Sequence, residues 1–132
     1  NGAPGVHSAR FAGDPPAGAA GGRNNQDERN NRRLREQLAN ETNRKAHYYC
    51  VIVLTRHADD PQPTICEAEW HGEIVRVPHG SGGFGYDPLF LLPELRRTAA
   101  ELKPEHKNRI SHRGQALAAL AVRLAPARSV RR

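Results

Sequence analysis

Residues 46–55 read AHYYCVIVLT and residues 64–77 read TICEAEWHGEIVRV; these two stretches decide the fold class. Val51, Ile52 and Val53 are β-branched, and Tyr48 and Tyr49 stand beside them, a composition suited to a pleated strand. The unbroken apolar run predicts a strand covered on both faces. In the second stretch Ile65, Trp70, Ile74 and Val77 predict a long strand with a break at Gly72. The polar, proline-containing link from His57 to Pro63 joins the two. A long antiparallel hairpin is expected, turning near Asp60.

Working outward, residues 27–40 read as a helix. Asp27 and Glu28 suit its first turn, where carboxylates favour the helix dipole. Leu34 and Leu38 make a narrow stripe that could dock on a sheet. Residues 1–13 are expected to be an ordered loop packed on a domain. Residues 14–26, DPPAGAAGGRNNQ, are poor in large apolar side chains and predict a flexible loop, because little burial offsets their ordering entropy. On the other side, 78–88 form a glycine-rich loop and Leu89 to Leu92 a short buried segment. A short amphipathic helix is expected over 97–103, ending before Pro104. Ser111 is a good N-cap for a helix over 112–125 on which Leu117, Leu120, Ala121 and Leu124 share a face. Residues 126–132 form a basic tail. The order of helix, two long strands, loop and helices predicts an α/β fold with a mixed sheet and flanking helices.

The chain has 132 residues, room for a single domain, with 20 Lys and Arg against 14 Asp and Glu and a net charge of +6. Such a charge attracts anions but does not separate nucleic acid from a phosphorylated small molecule. Two cysteines are too few for a disulfide scaffold. In the expected hairpin Cys50 faces Trp70 and Cys66 faces Leu54, so both read as reduced thiols of a cytoplasmic protein. No apolar run is long enough to span a bilayer, and no membrane partner is expected. The chain begins at Asn1 and contains no methionine, which leads us to expect a fragment.

Two segments carry chemistry. In GFGYDPLF, residues 83–90, glycines flank an aromatic ring. Glycine lets backbone approach a ligand closely, and an aromatic ring can stack on a base for roughly 1–3 kcal/mol. The loop lacks the Gly-Lys-Ser/Thr ending of a phosphate loop and the strand-to-helix setting of a dinucleotide fingerprint. The second segment is KNRISHRGQAL, residues 107–117. Lys107, His112 and Arg113 crowd the start of a helix, an end already positive, which suits an anion or an electron-rich acceptor. Taken singly, a glycine-rich turn without a ligand, a solvated charged face and a packed histidine are the alternatives.

Together these segments resemble the signature blocks of the inosine triphosphate pyrophosphatases, with GAPGVHSARFAG, residues 2–13, as a third block. Asn30-Asn31 followed by Leu34 resembles the family's dimer-side helix, and His71-Gly72-Glu73-Ile74 its long hairpin. His7 and Phe11 depart from the family, which usually has tyrosines there. The resemblance implies the fold of that family and hydrolysis of deaminated purine nucleoside triphosphates (ITP, dITP, XTP) to monophosphate and pyrophosphate. It implies that Phe84 stacks on the purine and that Gly85, Tyr86 and Asp87 shape the pocket. Lys107, His112 and Arg113 would hold the base edge. It also implies Mg²⁺ as cofactor and a homodimer. The phosphate- and metal-binding groups of the family belong to an N-terminal region: a Ser/Thr-x-Asn-x-x-Lys loop, an acidic helix and an Asp-Asp-Ser-Gly segment. None occurs in this sequence, so no catalytic or metal residue is assigned and this chain alone is expected to be inactive. Asp14, Asp59 and Asp60 read as loop carboxylates.

Two rival readings remain open. One is a non-catalytic basic nucleic-acid-binding module, opposed by scattered basic groups and an aromatic content of 5%; no specific nucleic acid is expected. The other is a related nucleotide pyrophosphatase acting on modified pyrimidines or canonical nucleotides.

Overall fold

The computed structural model describes residues 2–15, 17, 18 and 22–125. Seven elements frame it: α1 (Arg23–Gln37), β1 (Lys45–Leu54), β2 (Thr64–Ile74), β3 (Phe90–Leu92), β4 (Arg97–Thr98), α2 (Pro104–Ile110) and α3 (His112–Leu124). Single stretches of 3-10 helix occupy Gly5–Arg10, Asp87–Leu89 and Ala99–Glu101. The strands form one sheet in the order β1-β2-β3-β4. Glu73 pairs with Leu91, and Leu91 with Thr98, both in antiparallel register. The α/β class with its long hairpin and flanking helices is as expected.

By its contacts the chain divides into two compact units, Asn1–Ala46 with His71–Lys103, and His47–Trp70 with Pro104–Arg132. The first unit has its core at β3: Leu89, Phe90 and Leu92 are buried, with Ile74, Ala99, Ala100 and Leu102. Gly72 explains how Phe90 fits. A Cβ there would lie 2.7 Å from the ring's Cζ and 2.5 Å from the Leu91 carbonyl oxygen. The expected break is therefore absent: β2 runs through Gly72, and the missing side chain is a notch for the ring. Val77 lies beyond the strand and is exposed.

In the second unit the hairpin alternates. Tyr48, Cys50 and Ile52 are partly covered, whereas Tyr49, Val51 and Val53 are exposed. The expectation of a strand covered on both faces is wrong here: successive side chains point to opposite faces, and among the described residues only one face is covered. On β2 Ile65 is exposed and Trp70 buried, so the two do not share a face. Tyr48 lies against Trp70, with ring centroids 6.0 Å apart. Both cysteines are free, as expected. The connecting loop is pinned at Asp60, whose carboxylate accepts from the Arg56 N–H at 2.9 Å, the Arg56 guanidinium at 2.6 Å and the Gln62 N–H at 3.0 Å. The Arg56 side chain first, then these N–H groups, hold that carboxyl well below the usual carboxylate range.

Three boundaries also differ. Helix α1 starts at Arg23 and ends at Gln37, so residues 23–26 belong to it and not to a loop, and Asp27 and Glu28 lie beyond its first turn. The segment 97–103 is not a helix: Thr98 and Glu101 form a capping box around one 3-10 turn, and Leu102 is already extended. Pro104 opens α2 instead of closing a helix, because proline lacks only an N–H that the first turn does not use. Ser111 caps α3 as expected, its Oγ accepting from the Gly114 N–H at 3.2 Å. The covered stripe of α3 is His112, Ala116 and Leu120, one turn apart; Leu117, Ala121 and Leu124 are exposed. The expected tail over 126–132 lies outside the described residues.

Candidate base-binding site

The turn at residues 83–87 is built by hydrogen bonds from every side. Gly83 and Gly85 have φ of 69° and 61°, a region that side chains disfavour. The Asp87 carboxylate, buried at 3% exposure, accepts the Phe84 N–H at 2.9 Å; a Cβ on Gly83 would strike that same carboxylate. The Gly85 N–H goes to Asp27 Oδ2 at 2.8 Å, and Asn31 Nδ2 donates to the Gly85 carbonyl at 2.9 Å. The Tyr86 hydroxyl donates to the Ser8 carbonyl at 2.5 Å. Burial first, and then the Asp27 charge, push that hydroxyl's pKa up to about 12.

These bonds decide what the turn can bind. Successive N–H groups in a glycine-rich turn ordinarily form an anion cradle. Here those of Phe84 and Gly85 are both accepted by carboxylates, and a phosphate on them would meet two negative charges. What the turn offers outward is the Phe84 ring, 54% exposed. The Arg23 guanidinium carbon lies 5.8 Å from the centre of that ring, within cation–π range.

Helix α1 supplies most of this frame, in a way the sequence reading missed. Arg23, Asp27 and Asn31, spaced four apart, share a stripe, and all three engage the turn. A second polar stripe holds the block at 2–13. Asn30, buried, accepts from the Ala12 N–H at 2.8 Å and donates to the Ala9 carbonyl at 3.1 Å. Arg29 donates to the Ala12 carbonyl at 3.1 Å. Polar residues at helical spacing were the available signal, and an apolar stripe does not contain them. Leu34 and Leu38 are only partly covered.

In the second unit the cationic segment is divided between two helices. Lys107 and Arg109 sit in the last turn of α2, where cations favour the dipole; only His112 and Arg113 stand at the positive end of α3. The expectation that all three cations crowd one helix start fails because α2 was not foreseen. The junction is tight: the Ser111 N–H donates to the Lys107 carbonyl at 2.9 Å, and a Cβ on Gly114 would run into the Asn108 carbonyl. His112 lies flat on Tyr48, centroids 4.8 Å apart and planes 8° apart, with Trp70 at 6.3 Å. Arg113 is exposed. The seven residues expected in the site thus fall into two sets, Phe84 to Asp87 in one unit and Lys107, His112 and Arg113 in the other.

Residues 1–123 match the Ham1 family. The chain belongs to that family. Among Ham1 relatives, a protein of Nitrosomonas europaea named dITP/XTP pyrophosphatase is 57% identical over 119 residues, covering 90% of this chain and 54% of that protein. One of Aromatoleum aromaticum with the same name is 54% identical, covering 96% of this chain and 59% of its own length. The solved structure of a HAM1 protein from Coxiella burnetii superposes with a TM-score of 0.80 at 47% identity, over 92% of this chain and 58% of that one. The resemblance read from the signature blocks is borne out. The chain spans somewhat over half the length of these relatives.

Proposed function

We propose that this chain supplies the base-recognition groups of a pyrophosphatase that hydrolyses ITP, dITP and XTP to monophosphate and pyrophosphate. The observation that carries the reading is the outward Phe84 ring on a turn whose N–H groups are already taken by Asp87 and Asp27: it suits a base face and repels a phosphate. The names of the Ham1 relatives support the substrate class. In this reading Phe84 stacks on the purine, Gly85 and Tyr86 shape its seat, and Asp87 acts by holding the ring. Lys107, His112 and Arg113 address the base edge. Hypoxanthine and xanthine carry an acceptor oxygen at C6, whereas adenine carries an amino donor. Cationic donors therefore favour the oxo base, and each donor left unpaired against adenine costs about 1–3 kcal/mol.

Mg²⁺ belongs to the proposal, but the residues present do not fit a metal site: among the described residues no group of three or more His, Cys, Asp or Glu could hold one. No step is routed through it, and this chain alone is expected not to turn over. A homodimer and a cytoplasmic location complete the reading. Among the described residues no helix is long and apolar enough to cross a membrane.

The test is pyrophosphate release with Mg²⁺ from ITP, dITP, XTP, ATP and dTTP, by the longest reading frame containing this chain and by the 132 residues alone. The reading frame should prefer the oxo purines by at least about tenfold, the yield of one mismatched contact. Equal rates on ATP would overturn the base assignment, and turnover by the chain alone would overturn the division of roles.

A further inference from the structure

We infer that Asp27 and Asn31 of α1 are positioning residues that set the pose of the Phe84 ring by clasping the backbone of Gly85 from both sides. The inference rests on the proposed base-stacking role of Phe84. Asp27 takes the Gly85 N–H at 2.8 Å, and Asn31 gives its amide N–H to the Gly85 carbonyl at 2.9 Å. Gly85 has φ of 61° and open space where a Cβ would stand, so no side-chain packing fixes it; besides the clasp, its preceding peptide is held by the Phe84 carbonyl, which accepts the Asp87 N–H at 3.3 Å. Asn31 is committed to this orientation at a cost: its Oδ1 is buried and has no hydrogen-bond partner among the described residues. A buried acceptor left unpaired is expensive, so the amide is spent on the Gly85 carbonyl and not on the best satisfaction of its own atoms. Both residues sit on one stripe of a helix that is itself tied down by Asn30 and Arg29, so the clasp is anchored to a rigid element. Neither side chain need touch the nucleotide: they act through the residue next to the ring.

The experiment uses the longest reading frame containing this chain, with Asp27→Ala, Asp27→Glu, Asn31→Ala and Phe84→Ala, singly and with the clasp variants placed on Phe84→Ala. Asp27→Ala and Asn31→Ala should each raise KM for ITP by about tenfold, the value of one hydrogen bond to a charged or buried group, with kcat changed less than about twofold. Asp27→Glu keeps the acceptor and should recover part of the loss. On Phe84→Ala the same substitutions should add almost nothing, because the ring they position is gone; coupling of this kind is what a double-mutant cycle measures. Full additivity with Phe84→Ala, or a loss of kcat and melting temperature in step, would overturn the inference and leave the clasp merely structural. A wild type that hydrolyses no triphosphate sinks the proposed function instead. In that event amide exchange decides the clasp: Gly85 N–H protection unchanged by Asp27→Ala would overturn it.

Discussion

Phe84 and His112 are both flat rings that the proposed function uses for base recognition, yet each is presented by opposite means in its own unit. Phe84 is held by its backbone: carboxylates and an amide grip the peptide groups on either side, and the ring itself stands half in solvent. His112 is held by its ring, laid on Tyr48 at 4.8 Å in a stack that includes Trp70. The contrast teaches where each region is vulnerable. Substitutions around Phe84 should change the pose of a ligand with little change in stability, whereas substitutions around His112 should act on folding first.

The largest expected effect breaks the His112 side of that contrast. Gly114→Val puts a Cβ into the Asn108 carbonyl, where α2 meets α3, and backbone cannot yield as a flexible side chain can. We expect a loss of about 3 kcal/mol or more, read by urea unfolding. A wild-type midpoint would mean that the junction is loose and that His112 owes its place to the stack alone. The opposite side is sharpened by two milder changes. Phe84→Ala should cost about 1–3 kcal/mol of ITP binding while moving the melting temperature only slightly, because the ring is 54% exposed. Tyr48→Leu keeps apolar bulk but removes the stacking partner; it should cost about 0.5–1.5 kcal/mol of stability before any loss of affinity is counted. If Phe84→Ala unfolds the protein and Tyr48→Leu leaves it intact, the contrast is reversed.

How much of this was legible in the sequence follows from the kind of force involved. The hairpin was legible because β-branched residues crowd 51–53, and Ser111 because a hydroxyl before a helix has one common use. The turn at 83–87 was legible as a turn from its glycines, two of which take positive φ. Its internal wiring was not: that Asp87 bonds back to Phe84 while Asp27 and Asn31 reach Gly85 depends on contacts 54 and 58 residues apart in the chain, which no local period records. The start of helix α1 was not legible, because the helix begins at a glycine cap with no acid in its first turn and docks through polar stripes instead of leucines. Helix α2, seven residues long, is too short to show a period, and a proline in sequence ends one helix as readily as it opens the next.

The smallest expected effect probes how closely the block at 2–13 is bound to the turn. The Tyr86 hydroxyl spans the two, donating to the Ser8 carbonyl at 2.5 Å, so Tyr86→Phe should cost about 1 kcal/mol near neutral pH. The pH dependence separates this bond from simple packing. The phenol titrates near 10 in an unfolded chain and at about 12 in place, raised by burial and then by Asp27. Below pH 10 both states hold the proton and the bond contributes fully. Between 10 and 12 the unfolded chain releases the proton while the folded one retains it, so alkali favours unfolding. The wild type should therefore lose stability through that window by a term the phenylalanine variant lacks, and the gap between their urea midpoints should narrow as pH rises from 9 to 11. A gap that stays constant would show the hydroxyl titrating normally, solvated and not fastened to Ser8, and the 2–13 block would then be tied to the site through α1 alone.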